Sequence, residues 1–319
     1  MQRILITGIG GFVGRHLAEH LRRNVDGELH GLGTAAACRS ACDRYFACDL
    51  TDARAVAHTI DESRPDVVYH LAARTGGTTP DRLREVNVRG FALLCDALRR
   101  WGEYRNLPVR MLTLGSAAEL GTAGVATLPV REDAPCNPET DYGRSKLDVT
   151  ERALREPIAG PLRITVARTF NLVGPGLGPN LALGRFARQI AAVCRGEAAE
   201  IRCGKLDGRR DFVDVRDAAA AYVALAERGR PGQLYNVCAG RSFVLGDLLQ
   251  QMIAATGGPI PIVEEHEPAR LGDPADVYGD VTKTQQATGW IAVTPIEQSL
   301  HDLMTSTFDS AAPAWKIAS

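Results

Sequence analysis

At 319 residues, with apolar side chains at 45% and charged ones at 24%, the chain has the balance of an ordinary globular protein with room for a full core. Lys and Arg number 37 against 38 Asp and Glu, a formal net charge of -1 that excludes a generally basic nucleic-acid surface and an acidic disordered tail. No apolar run approaches the ~20 residues of a membrane span, the N-terminus enters a strand without a signal-peptide pattern, and the eight scattered cysteines form no C-x-x-C pair. A protein of the cytoplasm, with reduced thiols, no metal site, and neither nucleic acid nor membrane as partner, is expected.

In chain order, strands are expected at 3–7, 28–32, 44–48, 66–71, 109–114 and 162–168, with helices between them at 12–23, 52–62, 82–101 and 142–156. Short apolar strands alternating with amphipathic helices predict a parallel sheet covered on both faces, the Rossmann-type doubly wound α/β fold, with ligands beyond the C-terminal strand ends. After about residue 170 the pattern changes: NLVGPGLGPN (171–180) reads as a loop. Helices follow near 182–195, 214–228, 244–256 and 295–307, with short strands near 199–202, 233–237 and 261–264. A smaller C-terminal α/β lobe is expected, with one strand and one helix returning to the large sheet. The division places residues 1–170 and about 212–238 in a dinucleotide-binding domain, and 171–211 with 239–319 in a substrate lobe.

Directly after the first strand stands GIGGFVG, residues 8–14, opening a helix. Gly8, Gly11 and Gly14 fit G-x-x-G-x-x-G, since position 13 is Val13. A tight glycine turn feeding a helix N-terminus points unpaired N–H groups and the helix dipole at a phosphate, which predicts a dinucleotide site. A carboxylate at the tip of the second strand would hold the 2′-hydroxyl of NAD, but that tip reads Gly31-Leu32-Gly33-Thr34. NADP(H) is therefore preferred and NAD(H) remains possible, with Arg39 or Arg44 to reach a 2′-phosphate. Asp49, in CDLTD, is placed either to cap the adenine end or to serve near a helix N-terminus.

The second signal is Tyr142-Gly143-Arg144-Ser145-Lys146. At i,i+4, tyrosine and lysine share a helix face, and the ammonium is expected to lower the phenol's pKa so that Tyr142 exchanges a proton with a substrate oxygen. Ser116, at the C-terminal end of the fifth strand, is placed to share that oxygen.

These motifs, with HLAAR (70–74), EVNVRG (85–90), GSAAELG (115–121), RTFNLVGPG (168–176), RRDFVDVRD (209–217), LYNVCAG (234–240) and ATGW (287–290), occur in one order. Over essentially its whole length the chain resembles the extended short-chain dehydrogenase/reductases of the NAD-dependent epimerase/dehydratase family. Within it, the chain is most similar to GDP-4-keto-6-deoxy-D-mannose reductases and GDP-mannose 4,6-dehydratases. The resemblance implies that Gly8, Gly11, Phe12, Val13, Gly14, Arg39, Asp49, Leu50, Leu71, Ala72, Ala73 and Asn87 hold the cofactor. It implies catalysis by Ser116, Tyr142 and Lys146, the last two also touching the cofactor. Asn171, Arg210 and Arg270 would bind a nucleotide-diphosphate sugar, the arginines by bidentate phosphate contact. A homodimer through helices 82–101 and 142–156 is also implied.

The chain departs from the dehydratase pattern. The acid expected two residues after the catalytic hydroxyl is Ala118, preceded by Ala117, with Glu119 one step beyond, and Leu120 replaces the usual tyrosine. A 4-ketoreductase in deoxysugar biosynthesis is therefore the leading expectation. A redox-neutral epimerase or 4,6-dehydratase is the alternative, and a non-catalytic dinucleotide sensor fits less well because Tyr142 and Lys146 are both present.

Overall fold

The computed structural model describes residues 1–34, 41–265 and 274–309. Its strands, in chain order, are β1 (Gln2–Thr7), β2 (Gly27–Gly33), β3 (Arg44–Ala47), β4 (Val67–His70), β5 (Val109–Ser116), β6 (Leu162–Thr169), β7 (Asn171–Val173), β8 (Ile201–Cys203), β9 (Arg209–Arg210), β10 (Phe212–Asp214), β11 (Leu234–Val237), β12 (Phe243–Val244), β13 (Ile262–Glu264) and β14 (Asp276–Val277). The helices are α1 (Phe12–Asn24), α2 (Ala53–Ser63), α3 (Pro80–Leu83), α4 (Gly90–Arg105), α5 (Asp141–Leu154), α6 (Ala182–Cys194), α7 (Val215–Arg228), α8 (Leu245–Ala254), α9 (Thr282–Thr288) and α10 (Ile296–Asp309).

Seven strands form one sheet in the order β11-β6-β5-β4-β1-β2-β3, every pair parallel. Alternation within the strands sends successive side chains to opposite faces. Ile4 and Ile6 of β1 join Leu17 and Leu21 of α1 and Ala218, Tyr222 and Leu225 of α7 in one core. Leu5, between them, joins Val56 and Ile60 of α2, Leu94 and Leu98 of α4, and Val149 and Ala153 of α5 in the other. Helices thus cover both faces, as the doubly wound expectation requires. Chain direction across the sheet reverses between β1 and β4, which opens a crevice at their C-terminal ends.

The second half returns β11 and α7 to this sheet and builds a further core from Val173, Phe186, Ile190, Leu249, Met252, Leu300 and Leu303. Here local reading is less complete. The Gly- and Pro-rich stretch expected to be all loop begins with β7, whose pairing with β10 is tertiary and leaves no local periodicity. α9 was not expected: TKTQQAT offers no apolar stripe, and its buried residues are Thr284 and Thr288. The helix expected over 82–101 starts at Pro80, passes through a π-helical turn at Arg84–Arg89, and then runs as α4.

Candidate active site

The turn after β1 is built by what its glycines lack. Gly8 has φ +72°, and its N–H donates to the Leu32 carbonyl on β2 at 2.8 Å. A Cβ there would lie 2.9 Å from the Ala72 backbone, so only glycine lets the turn touch the chain leaving β4. At Gly14 a Cβ would come within 2.4 Å of the Gly8 carbonyl oxygen; this glycine serves close approach of α1 to the strand end. Gly11 precedes α1 and supplies no side-chain cap. The first-turn N–H groups of Phe12, Val13 and Gly14 therefore open uncapped beside the crevice, an arrangement that fits a pyrophosphate. The Phe12 ring meets the His16 ring edge-on at 5.5 Å, and His16 Nε2 lies 2.9 Å from the Pro175 carbonyl, which ties α1 to the loop after β7.

Around the adenosine end, β2 closes at Gly33 without a carboxylate, and a Cβ on Gly33 would sit 3.0 Å from the Tyr45 hydroxyl. Glu28, at the start of β2, is 3.0 Å from His30 and well back from the tip. Arg44 does not reach a 2′-phosphate at this tip: it starts β3 opposite His30, whereas Ala47 at the other end of β3 stands opposite Gly33, and its guanidinium binds Glu62. Arg39 lies outside the described residues. Asp49 accepts from the Thr51 N–H and hydroxyl, both at 2.9 Å, and these bonds hold its carboxyl below the usual range, with Arg82 adding to the effect. The N-cap of α2 is Asp52, not Asp49. Leu50 is buried, and a Cβ on Gly90 would lie 3.1 Å from its Cβ.

Behind the crevice, Thr7 Oγ1 sits 2.9 Å from His70 Nδ1 and accepts from the Ala72 N–H at 3.2 Å, while the Leu71 N–H donates to the Thr7 carbonyl. Burial, with the Lys146 ammonium adding to it, pulls His70 down to about 3, so it stays neutral. Ala73 follows, half-buried, and then Arg74, whose N–H and carbonyl are both held by the Asn87 amide at 2.8 and 3.0 Å. Asn87 lies in the π-turn, and its Nδ2 also donates to Ser145 Oγ on α5 at 3.0 Å. One buried amide thus joins the loop after β4 to the tyrosine helix.

At that helix the three expected catalytic side chains meet. Ser116 ends β5, and its hydroxyl lies near the Tyr142 phenol. Lys146 is buried one turn on. The expected lowering of the phenol's pKa is overturned. Burial pushes Tyr142 up, the Ser116 hydroxyl opposes this, and the charged neighbour acting on the phenol is the Glu119 carboxylate, which pushes it up again. Burial pulls the Lys146 ammonium down to about 8, with Glu119 opposing. At neutral pH the site therefore holds a protonated tyrosine.

Glu119 itself is 0% exposed and bonded to Arg168 Nε at 3.3 Å, on the core side of the turn. In the sequence Glu119 stands out only as an acid one step beyond the dehydratase position. The overlooked signal was Arg168, a charge inside the apolar strand LRITVART, which demands a buried partner. Asp211 was also missed. Its carboxylate accepts from the N–H groups of Ala239 (2.7 Å), Gly240 (3.0 Å) and Gly279 (3.3 Å), and burial pushes it up to about 6. Asn171 leans on it, donating Nδ2 to the Asp211 carbonyl at 2.9 Å. Arg210 stands next to it, with Nη1 donating to the Arg209 carbonyl at 2.8 Å. Arg270 lies outside the described residues. Among the described residues no group of three or more His, Cys, Asp or Glu is arranged to hold a metal, and no helix is long and apolar enough to cross a membrane.

Residues 4–238 match the NAD dependent epimerase/dehydratase family. The chain is 30% identical to GDP-6-deoxy-D-mannose reductase of Pseudomonas aeruginosa over 309 residues, covering 95% of this chain and 96% of that protein. It is also 30% identical to dTDP-6-deoxy-L-talose 4-dehydrogenase (NAD(P)(+)) of Kitasatospora kifunensis, covering 98% and 96%. Among solved structures, RMD from Pseudomonas aeruginosa complexed with NADPH superposes with a TM-score of 0.84 at 29% identity, over 97% of this chain and 100% of that one. UDP-glucose 4-epimerase from Brucella ovis in complex with NAD shares the fold, with a TM-score of 0.84 at 24% identity, over 97% of this chain and 99% of that one.

Proposed function

Because the chain belongs to the NAD dependent epimerase/dehydratase family, we propose that it is an NAD(P)-dependent nucleotide-sugar oxidoreductase that reduces the C4 ketone of a nucleotide-linked 4-keto-6-deoxyhexose. One observation carries this reading over dehydration. Glu119, the only acid in the turn from Ser116 to Gly121, is buried against Arg168, while Ala117 and Ala118 cannot move a proton. Loss of the 6-hydroxyl needs a second proton donor and a base; reduction needs a single donor at the carbonyl oxygen, and Tyr142 supplies it.

When bound, NADPH supplies the hydride that the C4 carbon accepts. Tyr142, kept protonated by burial, gives its proton to the oxygen that gains charge, and the Ser116 hydroxyl donates a hydrogen bond to the same atom. Lys146 holds the nicotinamide ribose. The uncapped start of α1 binds the pyrophosphate with Gly8, Gly11, Phe12, Val13 and Gly14, and Leu50, Leu71, Ala72 and Ala73 line the dinucleotide. Residues 1–170 with 212–238 form the cofactor domain, and 171–211 with 239–319 the substrate lobe. There Asn171, Arg210 and Arg270 meet the nucleotide-diphosphate sugar. The carboxylate-free tip of β2 supports NADPH over NADH. Half-buried Leu93 on α4 and Leu147 on α5 support a homodimer through these helices.

The test is NADPH consumption with a panel of nucleotide-linked 4-keto-6-deoxyhexoses, repeated with NADH. We expect one NADPH oxidised per sugar and a higher kcat/KM with NADPH. Isomerisation of an unreacted nucleotide sugar without net NADPH loss would move the enzyme to the redox-neutral epimerases.

A further inference from the structure

The carboxylate of Glu119 is held from three sides. Oε1 accepts from the Ser116 N–H at 2.7 Å and from the Thr150 hydroxyl at 2.9 Å; Oε2 faces Arg168 Nε at 3.3 Å. Ser116 belongs to β5, Thr150 to α5 and Arg168 to β6. Thr150 stands four residues after Lys146 and eight after Tyr142, on the same face of the helix. Room for this grip comes from Gly115, where a Cβ would lie 2.8 Å from Glu119 Oε1 and 3.0 Å from Thr150 Oγ1. One buried group therefore sets the spacing between the strand that presents Ser116 and the helix that presents Tyr142 and Lys146.

A brace for the fold alone would not call for charge at this place. Buried ion pairs are weak stabilisers, and apolar side chains of similar volume serve as well or better. What distinguishes this pair is its position under the hydroxyls and ammonium of the reacting corner. We infer that Glu119 is a positioning residue for proton transfer at Tyr142: it clamps the Ser116 turn to the catalytic helix and supplies the negative charge that faces Tyr142 and Lys146. The inference rests on the reading of Ser116, Tyr142 and Lys146 as the reaction centre.

The other groups around the corner do not substitute for it. His70 on β4 faces Lys146 and is neutral, Tyr222 on α7 is a phenol near Tyr142, and Arg168 reaches away to Cys136 Sγ at 3.2 Å and to the Glu132 carbonyl at 3.4 Å. Of the buried pair, Glu119 is the member that acts on both Tyr142 and Lys146, and its charge opposes loss of a proton from each.

The test separates clamp from charge. Thr150→Val leaves the ion pair intact and removes the tie to α5. It should lower kcat about tenfold with the KM for the sugar little changed, because misplacement costs the transition state rather than binding, and Thr150→Ser should restore the rate. Glu119→Gln should move ionisation of the Tyr142 phenol to lower pH by about half a unit or more, read by ultraviolet absorbance of the free enzyme against Tyr142→Phe. If Glu119→Gln does not fold, Glu119→Gln/Arg168→Met removes both charges, and the phenol is expected to shift in the same direction. Full kcat in Thr150→Val, or an unmoved phenol titration in the Glu119 variant, overturns the inference and leaves a brace of the fold. The titration needs no sugar: an enzyme inactive on every 4-keto sugar refutes the proposed function, while the phenol still decides the role of Glu119.

Discussion

The glycine turn after β1 and the Ser116–Tyr142–Lys146 corner after β5 sit on the same edge of one sheet and are built in opposite ways. The turn works by omission. Gly8 and Gly14 have no room for a Cβ, Gly11 brings no cap, and what remains for a ligand is backbone N–H and a helix end. The corner works by crowding, with a half-buried phenol and hydroxyl packed beside a buried ammonium and a buried carboxylate–guanidinium pair. A phosphate arrives with its own charge and needs donors that cost nothing to arrange. Proton transfer needs side chains whose ionisation has been moved, and burial is what moves it.

The contrast breaks most sharply at Tyr142. Tyr142→Phe should reduce kcat by about 10²–10⁴-fold, the range for loss of a general acid, while the NADPH dissociation constant measured by fluorescence stays within twofold or so. Equal losses in both would mean that turn and corner are not separate devices.

Lys146→Met tests whether crowding is held against stability. Its ammonium is pulled from an ordinary 10.5 to about 8, so the charged form costs stability fully below about pH 8, and the cost fades as pH rises towards 10.5. The variant, lacking this charge, should melt higher than wild type at pH 7, by about 3 kcal/mol at most, with the gain disappearing in alkaline buffer. Calorimetry across pH reads it, and activity should be lost together with the gain in stability.

On the turn, Gly14→Ala forces a methyl to within 2.4 Å of the Gly8 oxygen, against 3.2 Å for Gly11→Ala. Gly14→Ala should weaken NADPH binding or folding by about 1–3 kcal/mol, the scale of overpacking, and Gly11→Ala should do clearly less. Equal effects would show that close approach of helix and strand is not what the third glycine provides. The smallest effect is expected at Asp49, whose oxygen Oδ1 is already taken by Thr51. Asp49→Asn should change NADPH affinity by less than about threefold, within the usual range of surface substitutions; a larger loss would restore it as the adenine cap.

How much of this was legible follows from distance along the chain. The turn lies within seven residues, and Tyr142 and Lys146 within one helical turn, so spacing alone reveals both. The parallel sheet is legible because each strand is a short apolar run between helices. Glu119 and Arg168 stand 49 positions apart, and Asp211 reaches Ala239, Gly240 and Gly279, so these clasps exist only after the sheet has formed. The same holds for β7, which is defined by β10 and not by its own composition. The direction of the Tyr142 shift was misjudged for a related reason: helix spacing shows the ammonium one turn away but not the depth of burial or the carboxylate beneath.

The central claim is reduction at C4 with Tyr142 as the proton donor. It is tested most directly by NADPH carrying deuterium at the transferable position of its nicotinamide, incubated with a nucleotide-linked 4-keto-6-deoxyhexose and followed by mass spectrometry and proton resonance of the product. The account predicts one deuterium per product sugar, bound at C4, with one NADPH oxidised, and the same product formed about 10²–10⁴-fold more slowly in Tyr142→Phe. A product without deuterium, or conversion that leaves NADPH unspent, would contradict it.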